Sequence, residues 1–215
     1  LLEGGLTPSE GAIRLAKQQL TIPVHVIIRP RGGDFLYSET EFETMKFDIE
    51  RCKNLGVDGV VIGLLNADGT IDEKRTAELI ALARPMKITV HRAFDMTRDP
   101  FEALETLVHL GVERLLTSGQ EDSAYEGLDL ICELVKKAAG RIIIMPGAGI
   151  TEKTIGKIVA QSGVTEVHAT AFVSKESGMA FRNTRCYMGG VLRPAEYSQQ
   201  ATSAEKVGAL LKALR

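Results

Sequence analysis

Apolar, β-branched runs alternate with helix-patterned stretches along this chain without a break, and that order constrains the fold more than any single motif. The spacing predicts strands over residues 24–28, 59–65, 87–91, 114–117, 142–145 and 166–170. Thr7-Pro8-Ser9-Glu10 reads as a capping box with proline at the first helical position, opening a helix that runs to about Gln19. Ser38 with Glu41 opens a second, Asp72 a third, and Asp99-Pro100-Phe101-Glu102 a fourth in the same form as the first. Further helices are predicted over 123–139, from a Thr151 cap to Ser162, and over 203–214, with an irregular stretch between Thr170 and Ser203. Gly56-Val57-Asp58, Gly111-Val112-Glu113 and Gly163-Val164-Thr165 mark one recurring junction, a glycine helix stop followed by a valine entering the next strand.

Strict βαβα order means a parallel sheet with right-handed crossovers, met either by a doubly wound sheet or by a barrel. Strands of a wound sheet are buried on both faces and should be apolar on both. Here one parity carries polar groups: Arg29, then Thr89 and His91, then Glu166, His168 and Thr170. One polar face suits strands whose inner side lines a barrel mouth, so the expected fold is a TIM-type (β/α)8 barrel forming a single domain over residues 1–215. Six strands are visible. The remaining two strands and the first helix are expected ahead of Leu1, making the domain amino-terminally incomplete with two open sheet edges.

Bulk properties exclude some partners. The formal charge is −2 and the pI about 6.2, so no broad basic surface and no specific nucleic-acid partner is predicted. No apolar run approaches the roughly 20 residues of a spanning helix, so no membrane partner is predicted. Cys52, Cys132 and Cys186 are odd in number and widely spaced, which fits a reducing compartment better than a disulfide framework.

Chemistry is expected at the carboxyl ends of the strands. Ile28-Arg29-Pro30-Arg31-Gly32-Gly33-Asp34-Phe35 stops a strand with two guanidinium forks and bare amides, an arrangement suited to anions. The plainer reading is a polar turn whose arginines pair with Asp34 and nearby acids. His91 should point inward as an acid/base or ligand group, with Arg92 and Asp95 close enough to pair. Met145-Pro146-Gly147-Ala148-Gly149-Ile150-Thr151 opens a helix where barrels cradle phosphate, and Ser118 could add a hydroxyl to the same ligand. Glu166 and His168 share a strand face and could share a proton or a metal. The catalytic candidates are therefore His91, Arg29, Asp95 and His168; the anion-binding candidates are Arg29, Arg31, Arg92, Ser118, Gly147 and Gly149. Soft Cu(I) ligands are sparse: the cysteines are scattered, and Met45, Met86, Met96, Met145, Met179 and Met188 form no M-x-x-M cluster. No metal-ligand set emerges.

Taken together, IRPRGGDF (28–35), HRAFD (91–95), TSG (117–119), MPGAGIT (145–151) and the stretch with His168 resemble the CutC copper homeostasis family, as do EGGLTPS (3–9) and GMAFRN (178–183). The resemblance implies a (β/α)8 barrel, a cytoplasmic protein that is also nuclear in some animals, a homo-oligomer (dimer or tetramer), and copper handling through bound Cu(I). The family's suspected copper-binding cysteines belong to the first two strands and do not carry over to Cys52, Cys132 or Cys186. What carries over is the polar mouth, from Arg29 to His168. Two functions follow: a copper homeostasis protein binding Cu(I) in the cytosol, or a barrel enzyme acting on a phosphate- or carboxylate-bearing small molecule.

Overall fold

The computed structural model describes residues 4–186 and 197–214; Glu3 of the EGGLTPS motif and Met188 lie outside the described residues. Five strands form one parallel sheet: β1 (His25–Ile27), β2 (Gly59–Ile62), β3 (Lys87–Val90), β4 (Arg114–Thr117) and β5 (Ile143–Pro146). Their spatial order is their order in sequence, β1-β2-β3-β4-β5. A doubly wound sheet reverses its winding at a switch point, and this one never does. The fold is thus α/β and TIM-like, an arc of barrel wall that the described strands do not close.

Helices α1 (Glu10–Gln19), α2 (Glu39–Asn54), α3 (Glu73–Ala83), α4 (Pro100–His109), α5 (Leu128–Ala138) and α6 (Ile155–Ser162) connect and flank these strands. Val26, Ile28, Val60, Ile62, Ile88, Val90, Leu115 and Ile144 are buried on one side of the sheet with Phe42, Met45, Ile49, Leu79, Leu104, Leu107, Ile131 and Leu134 from the helices. Between them, Ile27, Val61, Leu116, Ile143 and Met145 are only half-buried. The alternation is the period-two signature of a wall with a packed outer face and an open inner one.

The three recurring junctions have one cause. Gly56, Gly111 and Gly163 sit at φ of 69°, 72° and 70°, the left-handed conformation that ends a helix at least cost in glycine. The amide of the next valine donates back into the helix, Val57 to Cys52 and Val112 to Leu107. The acid after it then reaches the neighbouring strand: Val24 N donates to Asp58 Oδ2 at 2.7 Å, and Ile88 N to Glu113 Oε2 at 2.9 Å.

Several expectations are corrected. Ser9, not Thr7, caps α1, leaving Pro8 outside the helix. Thr7 instead fastens the end of β1, its amide donating to Arg29 O and its hydroxyl accepting from Arg29 N. The Asp99-Pro100 cap, by contrast, forms as read, and Ser38 with Glu41 makes a full capping box. The predicted helix over 123–139 begins only at Leu128, after a Ser123 turn, and α6 begins at Ile155 after a Thr151–Thr154 turn. Residues 166–170 form no strand: a single backbone bond, His168 N to Pro146 O at 2.8 Å, ties them to β5. They then bend at Ala171, whose φ is 49°. The stretch read as irregular contains an antiparallel ribbon, β6 (Phe172–Glu176) with β7 (Ser198–Thr202), ahead of α7 (Ala204–Ala213). Apart from Phe172 and Val173 at its start and Ala201, the ribbon is polar on both faces, so hydrophobic periodicity gave little sign of it.

Candidate functional site

The register sets the geometry of the mouth. Ile27, Val61, Thr89, Arg114 and Ile143 lie side by side across the inner face. Two residues further on, the next row is Arg29, Gly63 and His91, just past the ends of β1, β2 and β3, with Leu116 and Met145 still paired in β4 and β5. Arg29 and His91 are 6% and 5% exposed, so both polar groups are buried at the carboxyl end of the wall. Gly63 stands between them because a Cβ there would meet His91 Nδ1 at 2.6 Å. The imidazole lies against bare backbone.

Arg29 is held by the segment ahead of α1 and by its own turn, donating from Nη1 to Gly5 O at 3.0 Å and from Nη2 to Gly33 O at 2.9 Å. The ring of Phe35 lies 5.2 Å from the Arg29 guanidinium carbon and 5.1 Å from the His91 ring centroid. His91 Nδ1 accepts from Ala93 N at 3.1 Å, so the ring proton resides on Nε2 in the neutral form. Burial, and then the charge of Arg29, push the His91 pKa down to about 4. The buried Nε2 has no hydrogen-bond partner among the described residues.

The other candidates are placed differently. Arg31 uses all five donors locally: Nε on Glu41, Nη1 on Gly32 O and Asp34 O, Nη2 on Asp34 Oδ1 and Leu36 O. This is the polar-turn arrangement, and the fork is not presented outward. Asp95 does not touch His91. Its side chain, 4% exposed, accepts from Arg92 Nε, Thr117 Oγ1, Ser118 N and Oγ, and Gln120 N. Arg92 Nη2 in turn donates to Ser118 Oγ at 2.8 Å. Arg92, Asp95 and Ser118 thus form a latch between the loops after β3 and β4, with Ser118 wholly buried.

Gly147 and Gly149 fit close packing. An added Cβ on Gly147 would meet Leu116 Cδ1 at 2.5 Å and His168 Cβ at 3.2 Å; on Gly149 it would meet Ser123 Cβ at 2.9 Å. Gly147 N already donates to Thr117 O. The start of α6 lies one turn beyond these glycines, so its dipole does not open directly onto them. His168 is exposed beside Gly147, and Glu166 is taken up by a two-pronged ion pair with Arg114 at 2.7 and 2.9 Å rather than by His168. The structure therefore brings together Arg29 and His91, and adds Phe35 and Gly63. The signal for Phe35 was its place directly after Gly32-Gly33-Asp34; nothing local singled out Gly63.

Comparison with known proteins gives consistent results. A family model described as the CutC family matches residues 1–173. The chain is 54% identical to a mouse copper homeostasis protein cutC homolog over 98% of its own length and 77% of the relative's. It is 52% identical to the human protein of the same description, with the same coverage. Among solved structures, a putative copper homeostasis protein CutC from Streptococcus agalactiae superposes with a TM-score of 0.76 at 36% identity, over 78% of this chain and 83% of that one.

Proposed function

The chain belongs to the CutC family, and from that membership we propose that it serves copper homeostasis by binding Cu(I) as cargo in the cytoplasm, with a nuclear pool in animals. The supporting observation is the 54% identity to a mammalian copper homeostasis protein across nearly the whole chain. Among the described residues, no group of three or more His, Cys, Asp or Glu is placed to hold a metal. Cys52 is fully buried and its thiol is pushed up to about 11, which makes it a poor source of the thiolate Cu(I) prefers. Cys132 is half-buried and Cys186 exposed. Competition of the protein with a coloured Cu(I) chelator tests the proposal. Stoichiometric removal of Cu(I) from the chelator is expected, and no removal at any protein concentration ends it. The protein is proposed to assemble as a dimer or tetramer, and a monomer mass by light scattering would contradict that.

A second reading, an enzyme or binding protein for an anionic small molecule, is favoured by the buried Arg29–His91 pair at the strand ends. Under it, Arg29→Met abolishes anion binding; unchanged binding rules it out.

A further inference from the structure

His91 carries a buried polar atom that the fold leaves unused, and its other nitrogen fixes what that atom is. Because Nδ1 accepts from Ala93 N, the lone pair faces the backbone and the hydrogen sits on Nε2. This hydrogen is buried without an acceptor among the described residues. A buried donor left this way is destabilising, and such exceptions in native structures call for a partner. The formal charge acting on it is that of Arg29, a cation at the same level of the wall, and Gly63 between them carries no side chain. A donor beside a fixed positive charge selects an oxygen bearing negative charge. Over both groups lies the Phe35 ring, on a half-buried side chain that follows Gly33, whose φ is 80°. The backbone beneath the ring is fixed separately, since the Phe35 carbonyl accepts from Leu65 N at 2.9 Å.

We infer that the mouth binds an oxyanion whose oxygen accepts from the Nε2–H of His91 beside Arg29, and that Phe35 is the gate over this site. The inference rests on the anionic-ligand reading above and deepens it by assigning His91 as a neutral donor rather than a proton-transfer group. It also separates this site from copper. A metal on Nε2 needs the lone pair there, and moving the proton to Nδ1 would set it against the Ala93 N–H.

The test uses the protein labelled with 15N-histidine, with acetate and inorganic phosphate as probes. Two-bond 1H–15N spectra from about pH 5.5 to 8 are expected to show His91 as a single neutral Nε2–H tautomer. One probe should shift the Nε2 proton saturably, acetate identifying a carboxylate ligand and phosphate a phosphorylated one. Phe35→Ala should bind that probe about tenfold more tightly, since the cost of opening is removed. His91→Phe should lose about tenfold or more, whereas His91→Gln, which keeps an N–H donor, should retain most binding. Cu(I) addition should leave the Nε2–H signal in place. An Nδ1–H tautomer, or a His91 titrating in the ordinary range, overturns the inference. So does a probe that binds through Arg29 without moving His91, which would leave the anionic reading standing. No binding by either probe, in the native chain or in Phe35→Ala, ends both.

Discussion

Burial and the charge of Arg29 hold the His91 imidazole at about 4 when folded, against 6.5 for an ordinary histidine. Between those values the unfolded chain binds a proton that the folded chain refuses. Stability therefore falls as the pH drops from about 6.5 towards 4, by something on the order of 3 kcal/mol at the lower end. Urea unfolding at pH 7 and pH 4.5 should show this loss in the native protein and a clearly smaller one in His91→Gln. Equal losses would mean that His91 is not the group responsible. Asp95 illustrates a different use of a buried charge. Its oxygens already have at least five donors, so replacement by asparagine leaves donors facing donors across the latch. A loss of about 2–3 kcal/mol is expected, read as a lower melting temperature.

Each repeated junction does two jobs within a few residues: it stops a helix and starts a strand. The acid is the part that reaches beyond its own element. Asp58 pairs with Lys17 of α1 and accepts from Val24 N at the head of β1, and these contacts, the Lys17 one foremost, hold its carboxyl below the usual range. The Lys17 pair is partly exposed and contributes little. The bond to the amide matters more, because without it the strand's first donor is left unpaired. Asp58→Ala should thus cost about 1–2 kcal/mol in chemical denaturation, and Asp58→Asn, which keeps an acceptor, about half as much or less. Equal costs for the two would place the stabilisation in the charge instead. Thr165 occupies the same place in the third junction, where the segment that follows does not become a strand.

For the molecule as a whole, winding in one direction places the polar strand ends along one rim and leaves the inner face of the arc half-covered. Protection should follow that shape. Amides of β2, β3 and β4 have partners on both sides, whereas residues 166–170 share a single backbone bond with β5. Native-state hydrogen exchange should therefore be slowest in β2–β4 and at least about a hundredfold faster over 166–170. Equal protection would show the sixth segment stably paired in solution. The ribbon of β6 and β7 is a separate two-stranded sheet, with Met179 and Phe181 in its connection 60% and 76% exposed.

What the sequence determined by itself is whatever neighbouring residues decide. Alternating strands and helices, the parity that separates Val26 and Ile28 from Ile27 and Arg29, the caps at Ser38 and Asp99 and the glycine stops all depend on contacts within a turn or two. The motifs that carry the CutC resemblance are equally local. Tertiary structure decided where each polar group ends up, because those partners lie on other loops. Arg29 and Arg31 are two residues apart and read alike. One is buried beside His91, while the other exhausts its donors on its own turn and Glu41. Asp95 has no oxygen left for the neighbouring His91, because the loop after β4 comes within reach and occupies both. The proton on His91 Nε2, and the gap left at Gly63 for the ring, exist only once three strands are side by side.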